Sequence, residues 1–206
     1  LGPGVKAEPG YYVYNSGTEL DIWTKTAEGR NFMGRVWPGD CVFPDFTMPA
    51  ARLWWASLYQ KFMETGVDGV WNDMNEPALF DTDSRTMPED NHHRGGGEIP
   101  PGPHARYHNI YGMQMVRATK LGVSMVNPDR RPFVLTRANY LGGQRYAATW
   151  TGDNRANWSH FRMSIPMTIN LSLSGQPFNG PDIGGFDGKA TPELFGPWIA
   201  GGAFYP

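Results

Sequence analysis

Four short apolar runs each hand over to a polar side chain, with segments of helical period set between them, and this alternation limits the fold more than any other feature. Gly69-Val70-Trp71 leads to Asp73, Pro132 to Thr136 leads to Arg137, Tyr146 to Trp150 leads to Asp153, and Gly175 to Asn179 leads to Asp182. The helical segments are residues 49 to 65, opened by Pro49 and stopped by Gly66, then 105 to 121, Trp158 to Leu173, and Glu193 to Ala200. Strand followed by helix, repeated, predicts an α/β fold with a parallel sheet. Polar residues just past the carboxyl ends of strands are where a (β/α)8 barrel keeps its catalytic loops. No phosphate-binding glycine fingerprint follows any strand, so a barrel is favoured over a doubly wound sheet.

Residues 81 to 103 have no period and are rich in Asp, Gly, Pro and His, which predicts one long loop. His92 and His93 lie in it. Adjacent side chains on a loop diverge and no acidic ligands follow at regular spacing, so the pair is expected to be solvated and no metal or other cofactor is expected.

Charge excludes some partners. With 18 basic and 20 acidic residues the net charge is -2, and neither sign gathers into a block, so nothing marks a nucleic-acid or membrane surface. No apolar run is long enough to span a bilayer. The single cysteine, Cys41, cannot form an internal disulfide and reads as a buried thiol. Asn157-Trp158-Ser159 and Asn170-Leu171-Ser172 match the glycosylation pattern but fall in ordered-looking segments. The compartment is left open, leaning cytoplasmic, as is the oligomeric state.

Asp73 and Asp153 each stand beside a tryptophan, in Trp71-Asn72-Asp73 and Trp150-Thr151-Gly152-Asp153. Taken singly, an Asp after a strand is an ordinary helix cap. Together, two carboxylates walled by aromatic rings suit cleavage of a glycosidic bond, in which one carboxylate faces the anomeric carbon and a protonated carboxyl meets the leaving oxygen. Composition alone leaves open which is which. Trp71 and Trp150 fit subsite walls equally well as core, and Arg137 fits a structural salt bridge as well as a fork for two sugar hydroxyls.

At these motifs the chain resembles family 31 of the glycoside hydrolases, a family of α-glucosidases. Trp71-Asn72-Asp73-Met74-Asn75-Glu76 is similar to the family's nucleophile signature and Trp150-Thr151-Gly152-Asp153-Asn154 to its acid/base segment. Val36-Trp37-Pro38-Gly39, Thr136-Arg137-Ala138, Gly143-Gln144-Arg145-Tyr146 and Pro181-Asp182-Ile183-Gly184-Gly185-Phe186 agree in order. The resemblance implies a retaining, exo-acting α-glucosidase, with Asp73 as nucleophile, Asp153 as proton donor, and an α-glucoside or malto-oligosaccharide as partner. It further implies that Arg137 bonds sugar hydroxyls and that Trp37, Trp71, Trp150 and Phe186 line the glucose pocket, with Asp182 nearby. Glu76 is expected to position its neighbours by hydrogen bonds. The same motifs also serve α-xylosidases, transglucosylases and α-glucan lyases, and a non-catalytic carbohydrate-binding relative is the alternative outside enzymes.

Where the family has Asp before Pro-Gly near the start, this chain has Gly2. The chain opens on Leu1 and closes on Pro206. It is expected to be the central part of a catalytic barrel, roughly the third to the seventh or eighth strand-helix unit. The flanking strands, the accessory β domains, an aspartate for the sugar's 4-hydroxyl and a pocket histidine are expected to lie outside it. An open barrel exposes two sheet edges and uncovered apolar faces. Residues 1–206 expressed alone are therefore expected to be inactive and to aggregate; a soluble monomer with a cooperative melt and full activity would contradict this.

Overall fold

The computed structural model describes residues 1–206. Its first part was not legible as strands in the sequence. β1 (Val5–Lys6) is followed by helix α1 (Tyr12–Glu19), then by β2 (Met33–Val36) and β3 (Gly39–Val42), which form an antiparallel sheet in the order β1-β3-β2. Val36 pairs with Gly39, so Trp37-Pro38 make a two-residue hairpin turn, and Gly39 takes the left-handed φ of 100° next to it. Cys41 is fully buried, and burial pushes its thiol up to about 11, which leaves it unreactive at neutral pH.

The predicted 49–65 helix forms as two pieces, α2 (Pro49–Ser57) and α3 (Tyr59–Met63), broken at Leu58. The aromatic core sits behind them. Phe46 meets Trp55 and Tyr111 edge-on at 5.4 and 5.3 Å, and Trp23 meets Trp54 at 5.5 Å. Buried rings with polar atoms need partners. Trp54 Nε1 donates to Ser16 Oγ and Trp55 Nε1 to Thr119 Oγ1, both at 3.0 Å, and Tyr111 OH donates to the Pro44 carbonyl at 2.9 Å.

The barrel portion begins with β4 (Gly69–Asn72). The segment from 81 to 103, expected as one loop, carries a small antiparallel pair, β5 (His92–His93) and β6 (Gly102–Pro103). Helix α4 (His104–Val126) leads to β7 (Phe133–Thr136), a 3-10 turn at Gly143–Arg145, and β8 (Ala148–Trp150). Helix α5 (Trp158–Leu173), β9 (Asn179–Gly180) and α6 (Pro192–Gly202) complete the chain. β4, β7, β8 and β9 lie parallel in that order, as the strand-helix alternation predicted. Two details differ. Between β7 and β8 there is no α-helix, only the 3-10 turn at Gly143–Arg145. The last strand forms at Asn179–Gly180, past most of the predicted run of 175 to 179.

Pleating sorts the strand residues. Val70, Asn72, Val134 and Thr136 are buried, while Trp71, Phe133 and Leu135 line an open cavity. Two glycines let α4 approach its neighbours closely: a Cβ at Gly112 would stand 2.7 Å from the Asn75 carbonyl just past β4, and one at Gly122 would stand 2.6 Å from the Ala56 carbonyl of α2. No helix is long and apolar enough to cross a membrane.

The fate of the histidine pair corrects the expectation of a solvated loop. His92 is exposed, but His93 is fully buried and donates from Nδ1 to Asp45 at 2.8 Å. Its Nε2 lies 2.9 Å from His104 Nδ1, whose Nε2 lies 3.0 Å from His108 Nδ1. Periodicity could not reveal this, since Asp45 comes from a distant part of the chain and His104 from the start of the next helix. Burial, reinforced by the charges of His93 and His108, lowers His104 to about 3. A depressed histidine stabilises the fold fully above its unfolded value near 6.5, and that contribution fades as pH falls toward the folded value. The thermal midpoint of the protein should therefore drop between pH 7 and pH 4, and His104→Gln should lose less over that interval; equal losses in the two would exclude His104 as a source.

Candidate active site

The turn after β4 is built to hold Asp73 still. Its Oδ1 accepts the Met74 N–H at 2.8 Å, its own N–H donates to the Leu1 carbonyl at 3.0 Å, and Met74 takes the left-handed φ of 55°. Non-glycine residues hold that conformation only where surrounding contacts enforce it. Asn75 provides them. Fully buried, it donates from Nδ2 to Thr136 Oγ1 at 2.9 Å and accepts the Ala138 N–H on Oδ1 at 3.1 Å. These bonds lace the exit of β4 to the exit of β7, on both sides of Arg137.

Arg137 then meets three carboxylates. Its Nε and Nη2 donate to Glu76 Oε1 and Oε2 at 2.7 and 3.2 Å, and its Nη1 lies 3.2 Å from Asp73 Oδ1 and 3.7 Å from Asp153 Oδ2. Burial works to lower the Arg137 pKa, but the hydrogen bond and charge of Glu76, joined by Asp73 and Asp153, prevail and raise it. Because one nitrogen touches both, those two oxygens can be no more than about 7 Å apart. That bound admits the roughly 5–5.5 Å carboxyl separation of retaining glycosidases.

Asp153 follows β8 through Gly152, whose φ is 83°. Its neighbour Asn154 fastens the next strand's exit: Nδ2 donates to the Asp182 carbonyl, and Oδ1 accepts the Phe186 N–H, each at 2.9 Å. Burial first, and then the negative charge of Asp153, raise the Asp182 carboxyl. Trp71 and Trp150 pack edge-on at 5.4 Å. They line a cavity of about 750 Å³ together with Asp153, Asp182 and Phe186. Asp73 and Arg137 join this group through the contact of Arg137 with Asp153. Trp37 stands apart from the cavity lining, 81% exposed at the hairpin tip and packed edge-on against Phe80 at 4.8 Å. Sequence reasoning gave Asn75 and Asn154 no role. Their only signal was a place beside an aspartate in each motif.

The fold and this strand-end cluster define a class: a barrel domain with a carboxylate site at the carboxyl ends of its parallel strands. Residues 1–206 match the glycosyl hydrolases family 31 TIM-barrel domain, and the chain belongs to that family. It is 46% identical over 206 residues to "Alpha-glucosidase 2" of Bacillus thermoamyloliquefaciens, and 42% identical over 210 residues to "Neutral alpha-glucosidase AB" of Homo sapiens. All of this chain is covered in both cases, but only 26% and 22% of those proteins. Among solved structures, a glucosidase II alpha subunit superposes with a TM-score of 0.93 at 39% identity, over 100% of this chain and 22% of that one. The family 31 alpha-glucosidase from Bacteroides thetaiotaomicron gives 0.85 at 55% identity, over 100% and 32%.

Asn154→Ala removes both side-chain bonds to the 182–186 loop while leaving its backbone carbonyl, which also accepts the Phe186 and Asp187 N–H groups. Losing two part-buried hydrogen bonds should speed amide exchange at Phe186 and Asp187 about tenfold; unchanged protection would show that the loop is held by other contacts.

Proposed function

We propose that this chain is the central part of the catalytic barrel of a retaining, exo-acting α-glucosidase that releases terminal α-linked glucose from oligosaccharides. One observation carries the reading: a single guanidinium nitrogen lies within 4 Å of both Asp73 and Asp153. Two carboxylates delivered by separate strands thus face one point. The α-glucosidase names of the relatives supply the substrate class.

Asp73, held by the Met74 N–H and facing Arg137, takes the nucleophile's part. Its oxygen attacks the anomeric carbon, and the bond to the leaving oxygen breaks with its electron pair. Asp153 gives its proton to that oxygen, leaving a glucosyl ester on Asp73. Asp153, now a carboxylate, then takes a proton from water as the water attacks the anomeric carbon. Glucose leaves with its configuration retained, and both carboxyl groups return to their starting states. Asp153 lines the cavity beside Asp182 and takes the proton donor's part. Trp71 and Trp150 offer aromatic surface to the C–H faces of a sugar beside Asp153.

In the full-length protein, Asp73→Ala should lower turnover at least about a thousandfold with the thermal midpoint little changed. A 5-fluoroglucosyl fluoride should label the peptide containing Asp73 in the wild type. Label on another residue, or turnover largely kept in the variant, would remove Asp73 from its role.

A further inference from the structure

Arg137 presents a difficulty that the reaction itself does not resolve. A retaining glycosidase must start with one carboxyl ionised and the other protonated. A cation 3.2 Å from Asp73 and 3.7 Å from Asp153 attracts negative charge on either side alike. The third carboxylate around the guanidinium bears on this.

We infer, on the reading of Asp73 and Asp153 given above, that Glu76 is a positioning residue: it holds Arg137 by the Nε and Nη2 edge, turns Nη1 alone toward the catalytic pair, and offsets the positive charge set beside them. Glu76 lies three positions after Asp73, past the left-handed Met74, and therefore approaches the guanidinium from a different side. Its two oxygens take two of the five donors in a fork arrangement, at 2.7 and 3.2 Å. Such a pairing fixes the plane of the guanidinium, so the direction of Nη1 follows. The Arg137 side chain is 21% exposed and that of Glu76 33%, so water screens the pair only in part.

The charged groups around the site are few. Asp73 and Glu76 come from the exit of β4, Arg137 from that of β7, Asp153 from that of β8, and Asp182, whose carboxyl Asp153 helps to raise, from that of β9. Arg155 and Asp187 lie 3.6 Å apart and pair with each other. Arg137 is thus the one arginine between the catalytic carboxylates, and Glu76 is its nearest counter-charge.

The test is the pH profile of kcat/KM for maltose hydrolysis by the full-length protein. Glu76→Gln keeps the side-chain shape and removes one negative charge, so the whole bell should move to lower pH by about one unit. Glu76→Asp keeps the charge on a shorter arm, and should lower kcat without moving the bell. Arg137→Gln should move the bell to higher pH. The Glu76→Gln/Arg137→Gln pair, which strands no charge, should bring it back and decides the matter if Glu76→Gln does not fold. A uniform fall in kcat/KM with the bell unmoved in Glu76→Gln, or a double variant whose bell stays where Arg137→Gln puts it, would make Glu76 merely structural and overturn the inference. A wild type that releases no glucose from maltose and takes no label at Asp73 would instead overturn the proposed function.

Discussion

A guanidinium carries five donors but one positive charge, and Arg137 divides both among three carboxylates delivered from two strand exits. The arrangement around Asp73 and Asp153 depends on that division. Arg137 Nη1, within 4 Å of both, is the group that links them. Its own place is set from behind, by Asn75 bonding to Thr136 and Ala138 on either side of it, and by the Arg137 N–H donating to the Asn72 carbonyl. The charged cluster at the front therefore rests on neutral hydrogen bonds within the sheet. Such bonds keep their geometry whatever the protonation state of the carboxylates.

Packing is uneven along the chain. The 22-residue hydrophobic core draws only on residues between Val5 and Val123, in the antiparallel sheet, α1 to α4, β4 and the segments that connect them. β7 rests on α4 and β9 on α5, while α5 and α6 leave Ile165, Ile169, Leu173 and Ile199 exposed. The cavity beside Asp153 is correspondingly open on the side where a closed barrel would place more strands. A four-stranded arc has two edges and one uncovered face, and the chain spans about a quarter of the relatives it matches. The polar line through the core, from Asp45 through His93 and His104 to His108, ties the 81–103 segment to the first layer. Burial alone would raise the Asp45 carboxyl, but the hydrogen bond and charge of His93, with Thr47 and the Arg94 N–H, outweigh it and lower it.

Sequence by itself determined the parallel sheet, because β4, β7 and β8 are short apolar runs, each with a polar residue just beyond it, and α4 and α5 repeat with helical period. It also set out the pairing of carboxylate with tryptophan at positions 71 to 73 and 150 to 153, since a motif is local. Only the tertiary structure decided what local pattern cannot carry: that Glu76, Asp73 and Asp153 share one arginine, that Asn75 and Asn154 hold the strand exits together, that Trp37 stands on Phe80 away from the cavity, and that His93 lies in the core. Each of these depends on which distant residue arrives opposite, and that is fixed by strand register and helix packing. Hydrophobic period records which face of an element is covered, and it says nothing of the partner that covers it.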